Sequence, residues 1–451
     1  MSAFCVVYLA QVRVDKMKLN NLESFWMPFT SNRDFKHNPR LLVRAEGVYY
    51  TTTDGRQVLD GTSGLWCSNA GHCRKSIVDA IKKQAELLDF APTFQIGHPL
   101  SFEFAERLIH MVQGFSHIFF TNSGSESIDT ALKIALAYHY SRGSTTRTRF
   151  IARERSYHGV NFGGVSIGGI SANRKQFSSL LNGVDYICHT HNIKHNAYSK
   201  GEPEWGMHLA DDLERLFVLH DSSTIAAVIV EPLAGSTGVL VPPKGYLGRL
   251  REICDAHDIL LIFDEVITGF GRIGTAFASD YFAVKPDIFT TAKGITNATV
   301  PMGAVFCRNG IYEAFMDAPE GAIELFHGYT CSGHPVACAA GLATIELYQN
   351  EELFKRSAEL APYLEEAVHS LKGNKHVVDI RNLGMIAAIE LEGVNNKPTV
   401  RAMEAFKQCY DKGLLIRTTG DTIALSPPLI IEKNQIDFII DVIRRVLRSI
   451  N

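Results

Sequence analysis

A chain of 451 residues is too long for one small hydrophobic core and predicts two or three structural units. Charged residues make up 21% of the chain and the net charge is −3, without a basic block that would neutralise a run of phosphates, which argues against a nucleic-acid or membrane-surface binder. Nine cysteines without paired spacing favour a reducing compartment, the cytoplasm, over a disulfide framework.

The beginning of the chain does not read as a secretion signal. The segment FCVVYLA (residues 4–10) is apolar, but it is short, follows no positive charge and precedes QVRVDKMK. We expect Met17 to be the natural start, with residues 1–16 peripheral. Nothing else in the sequence approaches the length of apolar run that spans a bilayer, so no membrane association is expected.

The middle of the chain alternates short apolar runs with amphipathic segments. The runs are rich in β-branched and aromatic residues and too short for core helices, so they predict buried strands. They are HIFFT (117–121), RFIA (149–152), VDYI (184–187), IAAVIV (225–230), ILLIF (259–263), IFTT (288–291) and GAVF (303–306). Between them, residues 126–140 and 246–257 carry apolar side chains at helical spacing. The alternation predicts an α/β domain with a mainly parallel sheet.

The last part of the chain has a different pattern, typical of a smaller α+β domain. A charged helix is expected at 351–371, followed by the strand-like VVDIRNLGMIAAIEL (377–391) and a hairpin in LIRTTGDTIALSPPL (415–429). A final helix is expected from about residue 433 onward, where the apolar pattern resumes.

The stretch FFTNSGSESIDTALKIA joins a predicted strand to a predicted helix through a Ser/Gly turn. Free backbone amides at a helix start favour an anion, and glycine lets a ligand approach the backbone closely. Gly124 and Ser125 therefore predict a phosphate-binding turn. Taken alone, the motif is better explained by an ordinary helix capped by Asn122 or Ser123.

Two carboxylates follow the apolar run in ILLIFDEVITGFGRIG. Asp264 and Glu265 stand at the carboxyl end of a predicted central strand, the edge at which open α/β sheets bind ligands. The alternative is that one of them caps the next turn. The glycines of GFGRIG also spell G-x-G-x-x-G, but DEVIT separates them from the strand and no clear helix follows. We therefore reject a dinucleotide-binding fingerprint.

The loop ERSYHGVNFGG places Tyr157 and His158 directly after another predicted strand. An aromatic ring here is suited to stacking on a flat ligand, and a buried tyrosine with a bonded hydroxyl is equally compatible with the pattern. The histidines of the nearby CHTHNIKH (188–195) match no standard metal-ligand spacing. Surface histidines in a loop explain them better, so we predict no metal.

Lys293 stands alone between two runs that the pattern buries, in IFTTAKGITNATVPMGAVF. For a lone lysine, a side chain that extends its ammonium to solvent is the ordinary explanation. With a phosphate-binding turn, an aspartate at a strand end and an aromatic platform, however, it completes the groups that hold pyridoxal phosphate. Lys293 would form a Schiff base with the aldehyde and later move a proton, and Asp264 would stabilise the protonated pyridine nitrogen.

These motifs also carry a family resemblance. The ordered set SGSES, YHG, EP, FDEVITGFGRIG, TTAKG and HGYTCSGHP resembles the class III pyridoxal-phosphate aminotransferases of fold type I, over roughly residues 25–450. Within that family, FWMPFTSNRDFKHNPRLLV, LDGTSGLWCSNAGH and FQIGHP resemble the ω-amino acid:pyruvate branch, which includes the β-alanine–pyruvate enzymes.

The resemblance implies a role for each matching position. Lys293 would be the Schiff-base lysine, Asp264 the pyridinium partner, and Val266 and Tyr157 would pack on the two faces of the ring. Trp66 and Arg417 would serve the substrate, Arg417 by binding its carboxylate with a planar fork of donors. The other residues implied at the cofactor are Ser123, Gly124 and Ser125 at its phosphate, His158, Glu231 with its role left open, and Thr330 reaching the cofactor phosphate of the neighbouring subunit.

The implied fold is an α/β large domain with a mainly parallel mixed sheet flanked by helices, plus a smaller α+β domain. We expect residues 1–70 to form an N-terminal segment that contributes to the small domain and to dimer contacts. Residues 71–335 would form the large domain that binds pyridoxal phosphate, and residues 336–451 the small domain. Because Thr330 would act across subunits, the resemblance implies a homodimer with shared active sites, and it leaves a tetramer open.

The implied reaction is a two-stage exchange with ping-pong kinetics. A donor such as β-alanine gives up its amino group and becomes malonate semialdehyde, and pyruvate takes the amino group and becomes alanine. The alternatives are a transaminase for taurine, γ-aminobutyrate, polyamines or other amines, and an aminomutase or decarboxylating lyase that uses the same lysine and aspartate. A cofactor-carrying protein without enzymatic activity has no support, because every catalytic position is present.

Overall fold

The computed structural model describes residues 22–394 and 397–451, so Met17 and the segment 1–16 lie outside the described residues. The strands, in chain order, are β1 (Leu42–Glu46), β2 (Tyr49–Thr52), β3 (Gln57–Asp60), β4 (His117–Thr121), β5 (Arg149–Arg153), β6 (Val184–Ile187), β7 (Ile225–Val230), β8 (Leu260–Asp264), β9 (Ile288–Thr291), β10 (Gly303–Cys307), β11 (Val377–Leu383), β12 (Ile386–Leu391), β13 (Leu414–Leu415), β14 (Arg417–Thr419) and β15 (Thr422–Leu425). The helices are α1 (Asn32–His37), α2 (Ser63–Trp66), α3 (Lys75–Leu87), α4 (Pro99–Ile109), α5 (Gly124–Ser141), α6 (Phe162–Ile167), α7 (Ser171–Arg174), α8 (Ile193–Asn196), α9 (Asp212–His220), α10 (Tyr246–Ala256), α11 (Ala278–Tyr281), α12 (Asn309–Met316), α13 (Pro335–Asn350), α14 (Leu353–His369), α15 (Val400–Asp411) and α16 (Lys433–Ser449).

A mixed sheet lies at the centre of the described chain, with the strand order β4-β10-β9-β8-β7-β5-β6. Strands β5 to β9 pair in parallel, whereas β10 runs antiparallel to both of its neighbours, β4 and β9. Strands β7 to β10 are buried along their whole length, which accounts for their continuous apolar sequences. The predicted α/β fold with a mainly parallel mixed sheet is confirmed.

The predicted strands and the observed strands agree closely in this sheet. The runs at 117–121, 184–187, 225–230 and 288–291 have the predicted bounds. The strand predicted at 259–263 is shifted by one residue, so that Asp264 is itself the last residue of β8. Asp264 is therefore positioned by the strand itself, at the edge of the sheet.

The core lies on both faces of the central sheet and supports this edge. On one face Phe263, Phe289 and Phe306 are fully buried, and the rings of Phe289 and Phe306 stack with their centroids 4.2 Å apart. Close packing of this kind leaves little freedom to β8, β9 and β10, the strands that carry these three rings. The residues at the ends of β8 and β9 are therefore held rigidly.

Two smaller sheets complete the described chain. In one, β11, β12, β15 and β14 are antiparallel, and the run at 377–391 divides into β11 and β12 at a turn where Gly384 has a φ of +58°. In the other, β1, β2 and β3 join β13, and β3 pairs with β13 in parallel. The N-terminal strands thus pair with the C-terminal part of the chain. The exact bounds of the domains stay a prediction.

Among the helices of the described residues, none combines the length and the apolar character that crossing a membrane requires.

Candidate active site

A cavity of about 140 Å³ opens where the carboxyl ends of β7, β8 and β9 meet. This is the edge at which open α/β sheets bind ligands. The residues predicted from the sequence that line the cavity are Gly124, Ser125, Tyr157, His158, Glu231, Asp264, Val266 and Lys293. The structure therefore brings together most of the predicted cofactor site, although these residues come from distant parts of the chain.

Asp264 is held in one orientation by donors on both carboxylate oxygens. Its side chain is 5% exposed, Oδ2 accepts a hydrogen bond from Nδ1 of His158 at 2.8 Å, and Oδ1 accepts one from the backbone N–H of Val266 at 3.1 Å. His158 is itself buried, and its Nε2 has no partner among the described residues. The carboxylate is thus fixed at the cavity wall, as a partner for a protonated ring nitrogen must be.

Glu231 follows β7 and holds the loop that carries Tyr157. Oε1 accepts a hydrogen bond from the backbone N–H of Tyr157 at 2.9 Å, and Oε2 accepts one from the N–H of Gly235 at 3.2 Å. Burial raises the pKa of Glu231 to about 7, although the nearby His158 opposes the shift. Its position indicates a role in holding Tyr157, which sequence reasoning had left open.

Lys293 opens a short 3₁₀ turn, Lys293–Thr296, immediately after β9. Its φ is +54°, a left-handed conformation that residues with a side chain rarely adopt and that recurs at functional sites. Burial lowers the pKa of its amine to about 8, while the nearby Cys67 and Asp264 oppose the shift. An amine with such a pKa is partly uncharged near neutral pH and can therefore act as a nucleophile.

The Ser/Gly turn both caps α5 and faces the cavity. Ser123 is the N-cap, and its Oγ accepts a hydrogen bond from a backbone N–H of the first turn at 3.2 Å. Gly124 and Ser125 line the cavity. A Cβ on Gly124 would lie 3.0 Å from a methyl of Val266, and one on Gly159 would lie 2.5 Å from Oγ of Ser125. Side chains at these glycines would fill the space at the helix start, where an anion binds best.

Arg417 lies beside the cavity rather than in its wall. It begins β14 and lines a neighbouring pocket of about 400 Å³ together with Phe29 and Leu65. Burial lowers the pKa of Arg417. Burial also raises the pKa of Tyr157, and the positive charge of Arg417 opposes that rise. The two side chains therefore lie close enough to interact electrostatically. Nε of Arg417 is buried without a partner among the described residues.

The structure places Trp66 and Thr330 outside both of these pockets. Trp66 is 3% exposed, has a φ of +64°, and belongs to an apolar cluster with Leu233 and Ile267, of which Ile267 lines the cavity. Thr330 is exposed in a surface turn between α12 and α13. Neither residue touches the cavity of the single chain, so their roles toward substrate and partner stay predictions.

Sequence reasoning missed the polar residues that support the site from behind. Arg272 is fully buried and donates hydrogen bonds to Oδ1 of Asn69 at 2.7 Å and to the carbonyl of Pro427 at 2.7 Å. The signal was present in GFGRIG, where a charged residue stands between residues that the pattern buries. Residues 266–277 form turns rather than the start of a helix, in agreement with the rejection of a dinucleotide fingerprint.

The histidine-rich loop leads to an ion-pair network. His191 lies near Asp379 and Glu390, a set of groups that a metal ion could bridge. The guanidinium of Arg381 already contacts both carboxylates, with Nη1 at 2.5 Å from Asp379 and 2.6 Å from Glu390. Although burial opposes it, His191 and Arg381 lower the pKa of Glu390 to about 2. Both carboxylates are thus already paired with a protein cation, and the network joins the loop after β6 to β11 and β12.

Comparisons with known proteins show which sequences this chain is similar to. The family model described as "Aminotransferase class-III" matches residues 30–447. The chain is 62% identical over 433 residues to an omega-aminotransferase of Caulobacter vibrioides, covering 96% of this chain and 99% of that protein. It is 49% identical over 434 residues to a beta-alanine–pyruvate aminotransferase of Pseudomonas aeruginosa, covering 95% and 96%.

A solved structure gives the same result for the fold. The crystal structure of the omega transaminase from Pseudomonas jessenii in complex with PMP matches with a TM-score of 0.90 and 31% identity, covering 95% of this chain and 98% of that one. Enzymes of this family use pyridoxal phosphate. From the cavity at the sheet edge, the family match over nearly the whole chain and the identity to its relatives, we conclude that the chain belongs to the class III aminotransferases.

Proposed function

We propose that this aminotransferase moves an amino group from an ω-amino acid such as β-alanine to pyruvate, with Lys293 and Asp264 as its catalytic residues. The observation that carries the proposal is the meeting, at one sheet edge, of a lysine with a lowered pKa and a carboxylate held by two donors. Similarity to the omega-amino acid–pyruvate aminotransferase of Pseudomonas putida, at 49% identity over 433 residues, supports the choice of substrates.

The residues of the cavity fit pyridoxal phosphate. The helix start at Gly124 and Ser125 suits the phosphate, and the glycines at 124 and 159 leave space that a Cβ would fill. Asp264 suits the ring nitrogen, and Tyr157 and Val266 suit the ring faces. When bound, the cofactor supplies a carbonyl that takes up amines and a ring that accepts an electron pair.

Lys293 carries out the proton transfer. Its Nζ would hold the cofactor in the resting enzyme, and the donor amine would free it to act as a base. In its uncharged form, Nζ would then take the proton from the substrate carbon that bears the amino group. Asp264, oriented by His158, keeps the ring nitrogen protonated. Glu231 keeps Tyr157 against the ring by binding its backbone N–H.

Arg417 binds the carboxylate of both substrates. Its planar guanidinium suits bidentate pairing with a carboxylate, and its buried Nε has no partner in the described chain. β-Alanine carries its carboxylate one methylene farther from the reacting carbon than pyruvate does. The pocket next to Arg417, which Phe29 and Leu65 line with apolar side chains, gives the longer substrate room beside the cavity. Trp66 shares an apolar cluster with Ile267, which lines the cavity, and would act on the substrate from that side.

We also propose that the enzyme is a homodimer with shared active sites, and a tetramer stays open. Thr330 is exposed on the single chain, and the same loop carries Phe326, which is 89% exposed. Phe94 and Phe102, also exposed, line a surface pocket of about 290 Å³ with residues of that loop. Large apolar side chains gathered on a surface favour contact with another chain. In a dimer, Thr330 would reach the partner's cofactor phosphate.

We place the enzyme in the cytoplasm. The cysteines of the described residues are all free, and several are buried, as expected in a reducing compartment.

A panel of donors tests the proposed reaction. β-Alanine, taurine, γ-aminobutyrate, putrescine and an arylalkyl amine are each offered with pyruvate and with 2-oxoglutarate, and alanine, glutamate and CO₂ are measured. We expect β-alanine with pyruvate to give the highest kcat/KM and alanine as product. A preference for another donor would replace the substrate assignment, and CO₂ release without alanine would place the enzyme among the lyases.

A further inference from the structure

The turn that carries Lys293 is strained and needs support from its surroundings. Lys293, Asn297 and Ala298 have φ values of +54°, +53° and +56°. Left-handed conformations at residues other than glycine cost free energy and persist only where neighbouring structure holds them. The position of the Lys293 amine therefore depends on contacts that the lysine does not make itself.

Asn297 provides a contact of this kind at the end of the turn. It is 4% exposed, and both halves of its amide bind backbone groups of the same distant stretch of chain. Oδ1 accepts a hydrogen bond from the N–H of Ala70 at 2.8 Å, and Nδ2 donates one to the carbonyl of Gly71 at 2.7 Å. Because two bonds in opposite directions fix the amide, the end of the lysine turn is tied to residues 70 and 71.

Residues 69–72, which we name the anchor segment, are themselves held firmly. Arg272 donates to Oδ1 of Asn69 at 2.7 Å, and Nε2 of His72 lies 2.8 Å from Oδ2 of the buried Asp60. The carbonyl of Asn69 accepts a hydrogen bond from the N–H of Leu429 at 2.8 Å. The anchor segment is thus a fixed point rather than a mobile loop.

The other side of the turn is also closely packed. The hydroxyl of Tyr348, on α13, donates a hydrogen bond to the carbonyl of Gly294 at 2.7 Å. A Cβ on Gly294 would lie 2.9 Å from Nδ2 of Asn69 and 2.9 Å from Cβ of Phe270. The turn therefore lies against the anchor segment, and Asn297 is the side chain of the turn that bonds to it.

We propose that Asn297 is a positioning residue that holds the lysine turn on the anchor segment and thereby sets where Nζ of Lys293 meets the aldehyde of pyridoxal phosphate. The inference rests on the proposed role of Lys293. Beyond the identity of the lysine, the reaction would also require that the side-chain amide of Asn297, four residues farther along the chain, hold Lys293 in the correct position. Reaction rates are sensitive to displacements of about 1 Å, so loss of the amide should slow the reaction rather than prevent cofactor binding.

The test separates the reaction of Lys293 from binding of the cofactor. In the reaction, Nζ forms a C=N bond with the aldehyde carbon and the aldehyde oxygen leaves as water. Pyridoxamine phosphate has the same ring and phosphate but carries an amine in place of the aldehyde, so it binds without reacting with lysine. Asn297→Gly keeps the left-handed backbone and removes both hydrogen bonds. Asn297→Asp keeps the shape and the acceptor but loses the donor to Gly71.

Pyridoxal phosphate is added to cofactor-free enzyme, the visible absorbance of the lysine-bound form is followed, and the affinity for pyridoxamine phosphate is measured by titration. We expect Asn297→Gly to slow the reaction about tenfold or more, with Asn297→Asp affected in the same direction. The affinity for pyridoxamine phosphate should change by less than about twofold, because the phosphate and ring contacts remain.

Ala298→Gly is the matched control. Ala298 is exposed, left-handed and adjacent, but no bond joins its side chain to the anchor segment. We expect this variant to react at the wild-type rate, which would show that flexibility of the turn is not the cause. Thermal unfolding of each cofactor-free variant checks that it is folded, and Asn297→Asp carries the test with the same readouts if Asn297→Gly does not fold.

Two results would overturn the inference. One is an unchanged rate in both Asn297 variants, and the other is a loss of affinity for pyridoxamine phosphate as large as the loss of rate, which would mark Asn297 as a general structural residue. The variant Lys293→Ala distinguishes a failure of the inference about Asn297 from a failure of the proposed function. If that variant still develops the absorbance, Lys293 is not the reacting amine and the premise itself falls.

Discussion

The amine of Lys293 takes its reactivity from its surroundings. Burial disfavours the charged form and lowers the pKa from 10.5 to about 8, and the charged or titratable groups that face it are Cys67, Asp264, Arg417 and Glu231. Between these two pKa values the unfolded chain binds more protons at this residue than the folded chain does. The cofactor-free protein therefore gains stability from Lys293 as the pH rises from about 8 towards 10.5.

The same shift predicts the pH dependence of cofactor attachment. Only the uncharged amine attacks the aldehyde, so the rate at which cofactor-free enzyme binds pyridoxal phosphate covalently should rise with pH and level off above about 8. Stopped-flow absorbance at a series of pH values measures this rate. A midpoint near the ordinary lysine value of 10.5 would show that the amine is not desolvated.

Arg417 provides a second prediction for a single side chain. Replacing it by alanine removes the guanidinium next to Tyr157, so substrates with a carboxylate should lose much more than amines without one. We expect kcat/KM for β-alanine to fall about a hundredfold, corresponding to charge-assisted hydrogen bonds worth about 3 kcal/mol, and that for a simple arylalkyl amine by less than about threefold. Equal losses for the two donors would show that Arg417 does not bind the carboxylate.

Strands and turns differ in how far the sequence predicts them. Asp264 ends β8 and Lys293 lies just beyond the parallel neighbour β9, so two apolar runs in the sequence are enough to bring both residues to the same sheet edge. The supports of the site could not be predicted in this way. Asn297 bonds to residues 227 and 226 positions away, and no local pattern encodes such a pairing. Trp66, which the family resemblance assigns to the substrate, is buried in an apolar cluster with Ile267, and its role stays a prediction.

The turn α2 shows how a buried carboxylate can hold an element that has no regular structure. Ser63, Gly64 and Trp66 all have positive φ values, at +46°, +66° and +64°. Asp60 is fully buried and accepts hydrogen bonds from the N–H of Gly64 at 2.7 Å and from both the N–H and the hydroxyl of Thr62. The turn therefore keeps its strained shape because Asp60 satisfies its backbone.

Asp60→Asn should release this turn. The asparagine amide keeps one acceptor oxygen, but its NH₂ group would face donors of Thr62 or Gly64 that need an acceptor. We therefore expect the free energy of unfolding to fall by about 2 kcal/mol. Thr62→Val, which removes the hydroxyl bonds but leaves the carboxylate, should cost about 1 kcal/mol. Urea unfolding of the two variants measures the difference. Equal stability of Asp60→Asn and the wild type would show that the turn does not depend on the carboxylate.

At the scale of the whole molecule, the proposed dimer would join two separate features of the chain. One is the cavity at the sheet edge, and the other is the surface that carries Thr330 and exposed aromatic side chains. A second copy of the chain would bring its Thr330 to the cavity of the first and would cover the exposed aromatic surface. The oligomer would then be a condition for catalysis and not only for stability.

Mixed dimers test this directly. Thr330→Ala alone should weaken retention of the cofactor about tenfold, since it removes a hydrogen bond to a phosphate. In dimers made from one Thr330→Ala subunit and one Lys293→Ala subunit, the intact Lys293 would be paired with the intact Thr330 of the other chain. That site should hold its cofactor as tightly as the wild type in a dialysis assay. Weak retention there would place Thr330 at the site of its own subunit.

The antiparallel strand β10 has a consequence for how the phosphate turn meets the lysine. It lies between β4 and β9, yet Oγ of Ser127, at the start of α5, donates a hydrogen bond to the carbonyl of Thr291 at the end of β9 at 3.1 Å. Gly303, the first residue of β10, leaves the room for this contact, because a Cβ there would lie 2.5 Å from the hydroxyls of Thr121 and Ser127. Among the described residues, β10 lends no side chain to the cavity wall. A side chain at Gly303 would therefore be expected to push the phosphate turn away from the lysine without entering the cavity.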